Sequence, residues 1–185
     1  MFSRSRSPRR IAAQLYSDVV AAARAPAFYA DLTVPDTIEG RYEMIVLHVV
    51  LLLRRLRQPG AGQKKLAQAL VDFMAADLDR SIRELGVGDM SVGKFMKRLG
   101  EGLYGRAAAY NKALDDRDTG AMETAVLRNI FDGDDPGERI LAKITYYVQA
   151  QHDHLAGQPI EPIAAGHVAF QPFADMNLVA ESSRT

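Results

Sequence analysis

Cysteine is absent from this 185-residue chain, which excludes disulfide bonds and thiolate chemistry and suits a reducing compartment. A net charge is absent too. The 23 basic and 23 acidic side chains cancel, so no global field advertises nucleic acid as a partner. No apolar run is long enough to span a bilayer. The longest, Met44 to Leu53, is ten residues interrupted by His48, about half of what a transmembrane helix needs. The N-terminus has no apolar h-region and is not a secretory signal. Its Arg- and Ser-rich, acid-free opening has some of the composition of a transit peptide, but it is read as a frayed basic arm over residues 1–8. Strand signals and internal repeats are missing as well.

What remains is a helical pattern along nearly the whole chain, long enough to bury one sizeable core. Residues 9–24 place Ile11, Leu15 and Val19 on one stripe, and Pro26 ends that helix before a turn at Phe28 and Tyr29. Asp36 stands three residues before Glu39, a capping-box arrangement that opens a helix running to Arg57. Leu66, Leu70, Phe73, Met74, Leu78 and Ile82 define the next, over 63–85. Gly86-Val87-Gly88-Asp89 breaks the chain, and Ser91 opens a long helix lined by Val92, Met96, Leu99, Leu103, Ala107, Tyr110 and Leu114. A shorter helix covers 119–131. The last begins with Asp135 as cap and Pro136 at its first position, and ends near Gly157. The expected architecture is all-α: a single compact domain of about six helices over 9–156. An irregular tail over 157–185 folds back through Ile160, Ile163, Val168 and Phe170.

Several motifs lose their force in context. Residues 88–94, GDMSVGK, imitate a phosphate loop, yet Phe95 replaces the magnesium-binding hydroxyl and a helix precedes where a strand is required. His152 and His154 lie two apart on a helix and point in opposed directions, so no metal site is expected there. Glu-x-x-His pairs, needed by a di-iron bundle, do not occur. Nor does a G-x-S-x-G elbow. His48 reads as a core or subunit-facing histidine. Gly100, Gly102 and Gly105 each cost a helix up to about 1 kcal/mol, which points to close approach of a neighbouring helix beside Tyr104 and Arg106, or to a groove for a partner helix. Arg54, Arg55, Arg57, Lys64 and Lys65 form an acid-free basic corner, either a solvated helix end or a dock for anionic headgroups or ribosomal RNA.

Three blocks together resemble the ubiquinol–cytochrome c chaperone family: VPDTIEGRYEMIVLH at 34–48, DLDRSIRELGVGDMSVGK at 77–94 and YGRAAAYNKAL at 104–114. Ala25-Pro26 with Phe28-Tyr29 is similar to the family's opening, and the likeness extends over residues 11–131. Phe95 departs from the basic or polar residue expected there. The resemblance implies an all-α factor that aids assembly of the respiratory cytochrome bc complex. It would bind newly made cytochrome b, with a small partner subunit and a ribosome contact in mitochondrial relatives. The short chain is similar to a bacterial, alphaproteobacterial member, cytoplasmic and peripheral to the inner membrane (the matrix side in a mitochondrial member).

Carried over by position, the resemblance singles out Asp36, Thr37, Gly40, Arg41 and Glu43; Arg83, Glu84, Gly86, Gly88 and Asp89; and Tyr104, Gly105, Arg106 and Tyr110. These either lock the helices through internal ion pairs and caps or line the client surface. The expected function is a non-enzymatic, ATP-independent chaperone without cofactor or metal, gripping cytochrome b in an apolar groove while the basic corner holds it to an anionic membrane. The alternative is a helical module delivering haem or quinone to the same complex, motivated by four histidines and seven methionines, with His48, His152 and His154 as ligand candidates.

Overall fold

The computed structural model describes residues 7–58, 63–84 and 89–173, apart from the side chains of Ile82 and of residues 89–101. Every regular element among them is helical. In chain order they are α1 (Pro8–Ala23), α2 (Pro26–Ala30), α3 (Ile38–Arg57), α4 (Lys64–Glu84), α5 (Asp89–Asp116), α6 (Thr119–Ile130), α7 (Glu138–Gly157) and α8 (Ile160–Ala164). Six of these are long and two have five residues each. Among the described residues no helix is long and apolar enough to cross a membrane.

The apolar run at 44–53 is the centre of the molecule. α3 packs against α1, α4, α5, α6 and α7, and all twelve residues from Tyr42 to Leu53 are buried. A helix apolar around its whole circumference has to be enclosed by neighbours. Leu47, Leu51 and Leu52 are almost fully enclosed, each stabilising the fold by roughly 2 kcal/mol relative to exposure. α1 lies against α3 and α4 through a stripe of Ala12, Leu15, Val19 and Ala23, all fully buried. Tyr16 completes that contact. Its ring sits 5.4 Å from Phe73 and its hydroxyl donates to Asp77 at 3.1 Å.

Two helix starts differ from expectation. α3 is capped by Thr37, whose Oγ1 accepts from the Gly40 amide at 3.1 Å. Counted from Thr37, the position a capping box gives to Glu or Gln is Gly40. The site admits nothing larger, since a Cβ there would meet the Pro35 carbonyl oxygen at 2.0 Å. Asp36 is thereby free to pair with Arg41. At α7 the cap is Gly137 at φ 94°, with Glu138 as the first helical residue. Asp135 acts one step earlier, accepting from the Gly137 amide at 2.8 Å. The positive φ at Gly137 keeps Pro136 outside the helix.

Residues beyond α7 do fold back. Ile163 is fully buried, and Gly166, at φ 100°, turns the chain against Gln14 and Ile11. Phe170 and Phe173 then enter an aromatic cluster with Phe28, His48 and Tyr147. His48 is at the heart of it, fully enclosed. Its Nδ1 lies 2.7 Å from the Met44 carbonyl, which only accepts, so Nδ1 carries the proton. Nε2 therefore accepts from the Tyr147 hydroxyl at 2.6 Å. The ring is neutral with both nitrogens engaged.

Burial lowers the pKa of His48 to about 4. A folded-state value below the unfolded one (about 6.5) means its contribution is complete above pH 6.5 and lost as pH falls towards 4. The loss is about 3 kcal/mol. Asp36 and Asp115, held low by Arg41 and Arg54, lose theirs only below the ordinary carboxylate range. Denaturant titrations of wild type and His48→Gln should therefore show a stability gap that shrinks by about 3 kcal/mol between pH 7 and pH 4. A gap independent of pH would contradict the neutral-ring assignment.

Candidate functional site

Glu43 is a carboxylate on a helix buried from every side, and it survives there because α5 delivers a guanidinium to it. Arg106 Nε donates to Glu43 Oε2 at 2.6 Å and Nη2 to Oε1 at 2.5 Å, a two-point pair with side chains 24 % and 9 % exposed. Gly102, one turn earlier on α5, makes room for it. A Cβ at Gly102 would lie 2.3 Å from Arg106 Nη1, so the guanidinium lies flat along its own helix where any other residue would stand.

Around this pair sit two phenols. Tyr42 and Tyr110 are buried near it, with the Asn129 side chain of α6 close to the Tyr110 hydroxyl. Burial pushes Glu43 up, and the two hydrogen bonds from Arg106 pull against that rise. The carboxylate in turn raises Arg106. Burial also pushes Tyr42 up to about 12 and Tyr110 higher still. A carboxylate with both oxygens committed and phenols held protonated offer no general base at neutral pH. The arrangement ties α3 to α5 beside α6; it is a brace.

The remaining family positions are dispersed. Asp36 accepts from Arg41 Nε at 2.6 Å, both side chains more than half exposed, and Arg41 lies 5.9 Å over the Tyr29 ring. With Arg24, Pro26 and Ala30 they line an open basin of about 610 Å³. Arg83 pairs with Asp79 one turn back on α4, at 2.8 Å, and Glu84 beside it is exposed. Asp89 is the first residue of α5; Gly86 and Gly88 lie outside the described residues. Tyr104 and Ile38 are the large exposed apolar side chains among the described residues, at 70 % and 56 %.

Two readings of the sequence change. Gly102 and Gly105 do not mark a neighbouring helix: nothing lies within 4 Å of a Cβ at Gly105, and Gly102 faces its own helix's arginine, while the surroundings of Gly100 lie outside the described residues. The basic corner is divided. Arg54 reaches Asp115 at 2.5 Å and Asn111 at 3.4 Å, while Arg55 donates to Gln58 at 3.2 Å and to the Gln158 carbonyl at 2.8 Å. Arg57, Lys64 and Lys65 remain exposed. Asn111, Asp115 and Gln158 are distant in sequence, so the local absence of acids hid the pairing. His152 and Asp153 line a small polar cavity of about 230 Å³ with Arg117, Thr119 and Gln149. The sequence reading missed two glutamines. Gln158 and Gln151 each hold one backbone residue of the returning tail by its N–H and C=O.

The described residues form an all-α domain whose central ion pair is structural, with a tyrosine and an isoleucine exposed on its surface. Residues 30–170 match the model of the ubiquinol-cytochrome C chaperone family, and the chain belongs to that family. It is similar to human ubiquinol-cytochrome c reductase complex assembly factor 1, 25 % identical over 90 % of this chain and 56 % of that protein. The mitochondrial protein CBP3 of Saccharomyces cerevisiae is 29 % identical over 85 % of this chain and 48 % of that one. The chain thus spans about half the length of these two relatives. The crystal structure of the Cbp3 homolog from Brucella abortus superposes with a TM-score of 0.81 at 38 % identity, covering 90 % of this chain and 92 % of that chain, in line with a bacterial member.

Replacing Glu43 by Gln leaves a mostly enclosed guanidinium without its counter-charge, and thermal or urea unfolding should show a loss of about 2–3 kcal/mol. Gly102→Ala should gain about 1 kcal/mol of helix propensity when Arg106 is already Met, and lose that gain in wild type, where the new methyl displaces Nη1. Equal effects in both backgrounds would contradict the role given to Gly102.

Proposed function

We propose that this chain assists assembly of ubiquinol–cytochrome c reductase by holding newly made cytochrome b, without ATP and without making or breaking bonds. The observation that carries this reading is the family match over residues 30–170. Three of the relatives are named as assembly factors of that complex. The pair of Glu43 and Arg106 supports it from the other side, because its groups are committed to each other. In this reading Asp36, Arg41 and Tyr104 face the client or a small partner subunit, together with Arg83, Glu84 and the junction at Gly86, Gly88 and Asp89.

Contact with an anionic membrane surface falls to Arg57, Lys64 and Lys65, which close α3 and open α4 and stay exposed. Arg4 and Arg6 of the N-terminal arm lie outside the described residues. Each cation near such a surface adds about 1 kcal/mol. Arg54 and Arg55 contribute less, being committed to Asp115 and Gln158.

Deleting the gene in a host that respires through this complex should deplete assembled complex, and a copy carrying Arg41→Ala with Tyr104→Ala should restore it only in part. Normal complex levels in the deletion strain would overturn the assembly role. Separately, changing Arg57, Lys64 and Lys65 to Gln should weaken binding to vesicles with anionic lipid by about two orders of magnitude with unchanged helicity. Equal binding by both proteins would show that this surface is merely solvated.

A further inference from the structure

Gln151 of α7 and Gln158, the C-cap residue that ends it, stand seven residues apart, about two helical turns along the axis. Each side-chain amide holds a single backbone residue of the returning tail at two points. Gln158 Nε2 donates to the Ala169 carbonyl at 2.7 Å, and the Ala169 amide donates back to Oε1 at 3.0 Å. The Gln171 amide donates to Gln151 Oε1 at 3.1 Å while Gln151 Nε2 donates to the Gln171 carbonyl. Engaging the N–H and C=O of one residue, then of the next but one, is how a β-strand pairs along its edge. Here two glutamines take the place of the neighbouring strand. Gln151 is fully buried under the tail, so both of its polar atoms depend on whatever backbone lies there.

Backbone hydrogen bonds of this kind are indifferent to side chains, proline excepted. Selectivity comes from the rings between and beyond them. Phe170 packs 5.3 Å from His48, and Phe173 lies 6.0 Å from both Phe28 and Tyr147. The fit leaves space. An opening of about 200 Å³ persists between Ala21, Ala22 and Ala25 on one side and Phe170, Pro172 and Phe173 on the other.

We propose that this end of α7 is a docking site for an extended polypeptide segment carrying two aromatic or large apolar residues three positions apart, and that residues 167–173 are its internal surrogate. The inference rests on the reading of this chain as a holder of polypeptide and names where on it the polypeptide lies. Main-chain pairing supplies affinity and the aromatic pocket supplies choice. Because the surrogate is tethered, its effective concentration reaches the millimolar range. An incoming segment therefore binds only when it offers more than Phe170 and Phe173 do, or arrives at high local concentration.

The probe is a labelled peptide with the sequence of residues 167–173, HVAFQPF, titrated into the full chain. Phe170→Ser with Phe173→Ser loosens the surrogate and should tighten peptide binding about tenfold or more over wild type. Adding Gln151→Ala and Gln158→Ala should abolish that gain, and a peptide with serine for both phenylalanines should not bind. Should the double serine variant fail to fold, hydrogen exchange on the wild-type chain serves instead, with millimolar peptide accelerating the Ala169 and Gln171 amides. Unchanged affinity in the folded variant, or unchanged exchange at those amides, overturns the proposal. Peptide indifference in a protein whose deletion still depletes the complex removes the groove and leaves the assembly role standing.

Discussion

A carboxylate or an imidazole on a helix enclosed on all sides persists where a partner meets the hydrogen-bonding atoms it brings. α3 brings one of each, Glu43 and His48, five residues apart in the run from Tyr42 to Leu53. Glu43 is met by Arg106 of α5, and His48 by Tyr147 of α7 and by the Met44 carbonyl of its own helix. Each partner has a fixed geometry, so the pairs set how α5 and α7 are rotated against the centre in a way that apolar contact alone does not. Apolar packing against α3 supplies most of the driving force. The two polar points supply the register.

From that centre the exposed surface follows by subtraction. Side chains used in bracing are unavailable for recognition, while Asp36 just before α3, Arg41 on it and Tyr104 on α5 stay exposed. The same logic applies to charge. Five cations adjacent in sequence reduce to three exposed ones once Asp115, Gln58 and Gln158 have engaged the other two. The tail extends it further, since the aromatic cluster around His48 is completed only when Phe170 and Phe173 return. A scaffold that finishes its own core with a strand-like segment already has the means to accept one.

Helix periods were legible because apolar side chains recur every three or four residues wherever one face is buried, and proline and glycine stop the pattern. The start of α3 was less so: Asp36 and Thr37 are both good caps, and the choice fell to Thr37 through Pro35, whose carbonyl crowds Gly40. At α7 the sequence Asp135-Pro136-Gly137 allows either of two starts, and the φ of 94° at Gly137 selects the later one. Gly102 was visible as an anomaly in a helix but its cause was not, because the crowding group is the arginine one turn on, folded back towards a residue of α3. Gln151 and Gln158 carried no signal at all. A glutamine on a helix is ordinary, and its use here depends on a backbone that arrives from more than ten residues away.

By itself the order of residues determined an all-helical chain, its main breaks, its longest apolar run at 44–53 and, through three short blocks, the family. These are local properties, set by side-chain periodicity and by the conformations that glycine and proline permit or forbid. Only the tertiary structure decided which charges pair, that Glu43 belongs to Arg106 and Arg54 to Asp115, and that the tail is gripped by two glutamines. Pairing energies act between atoms a few ångströms apart, and which atoms come that close is settled by the packing of the helices.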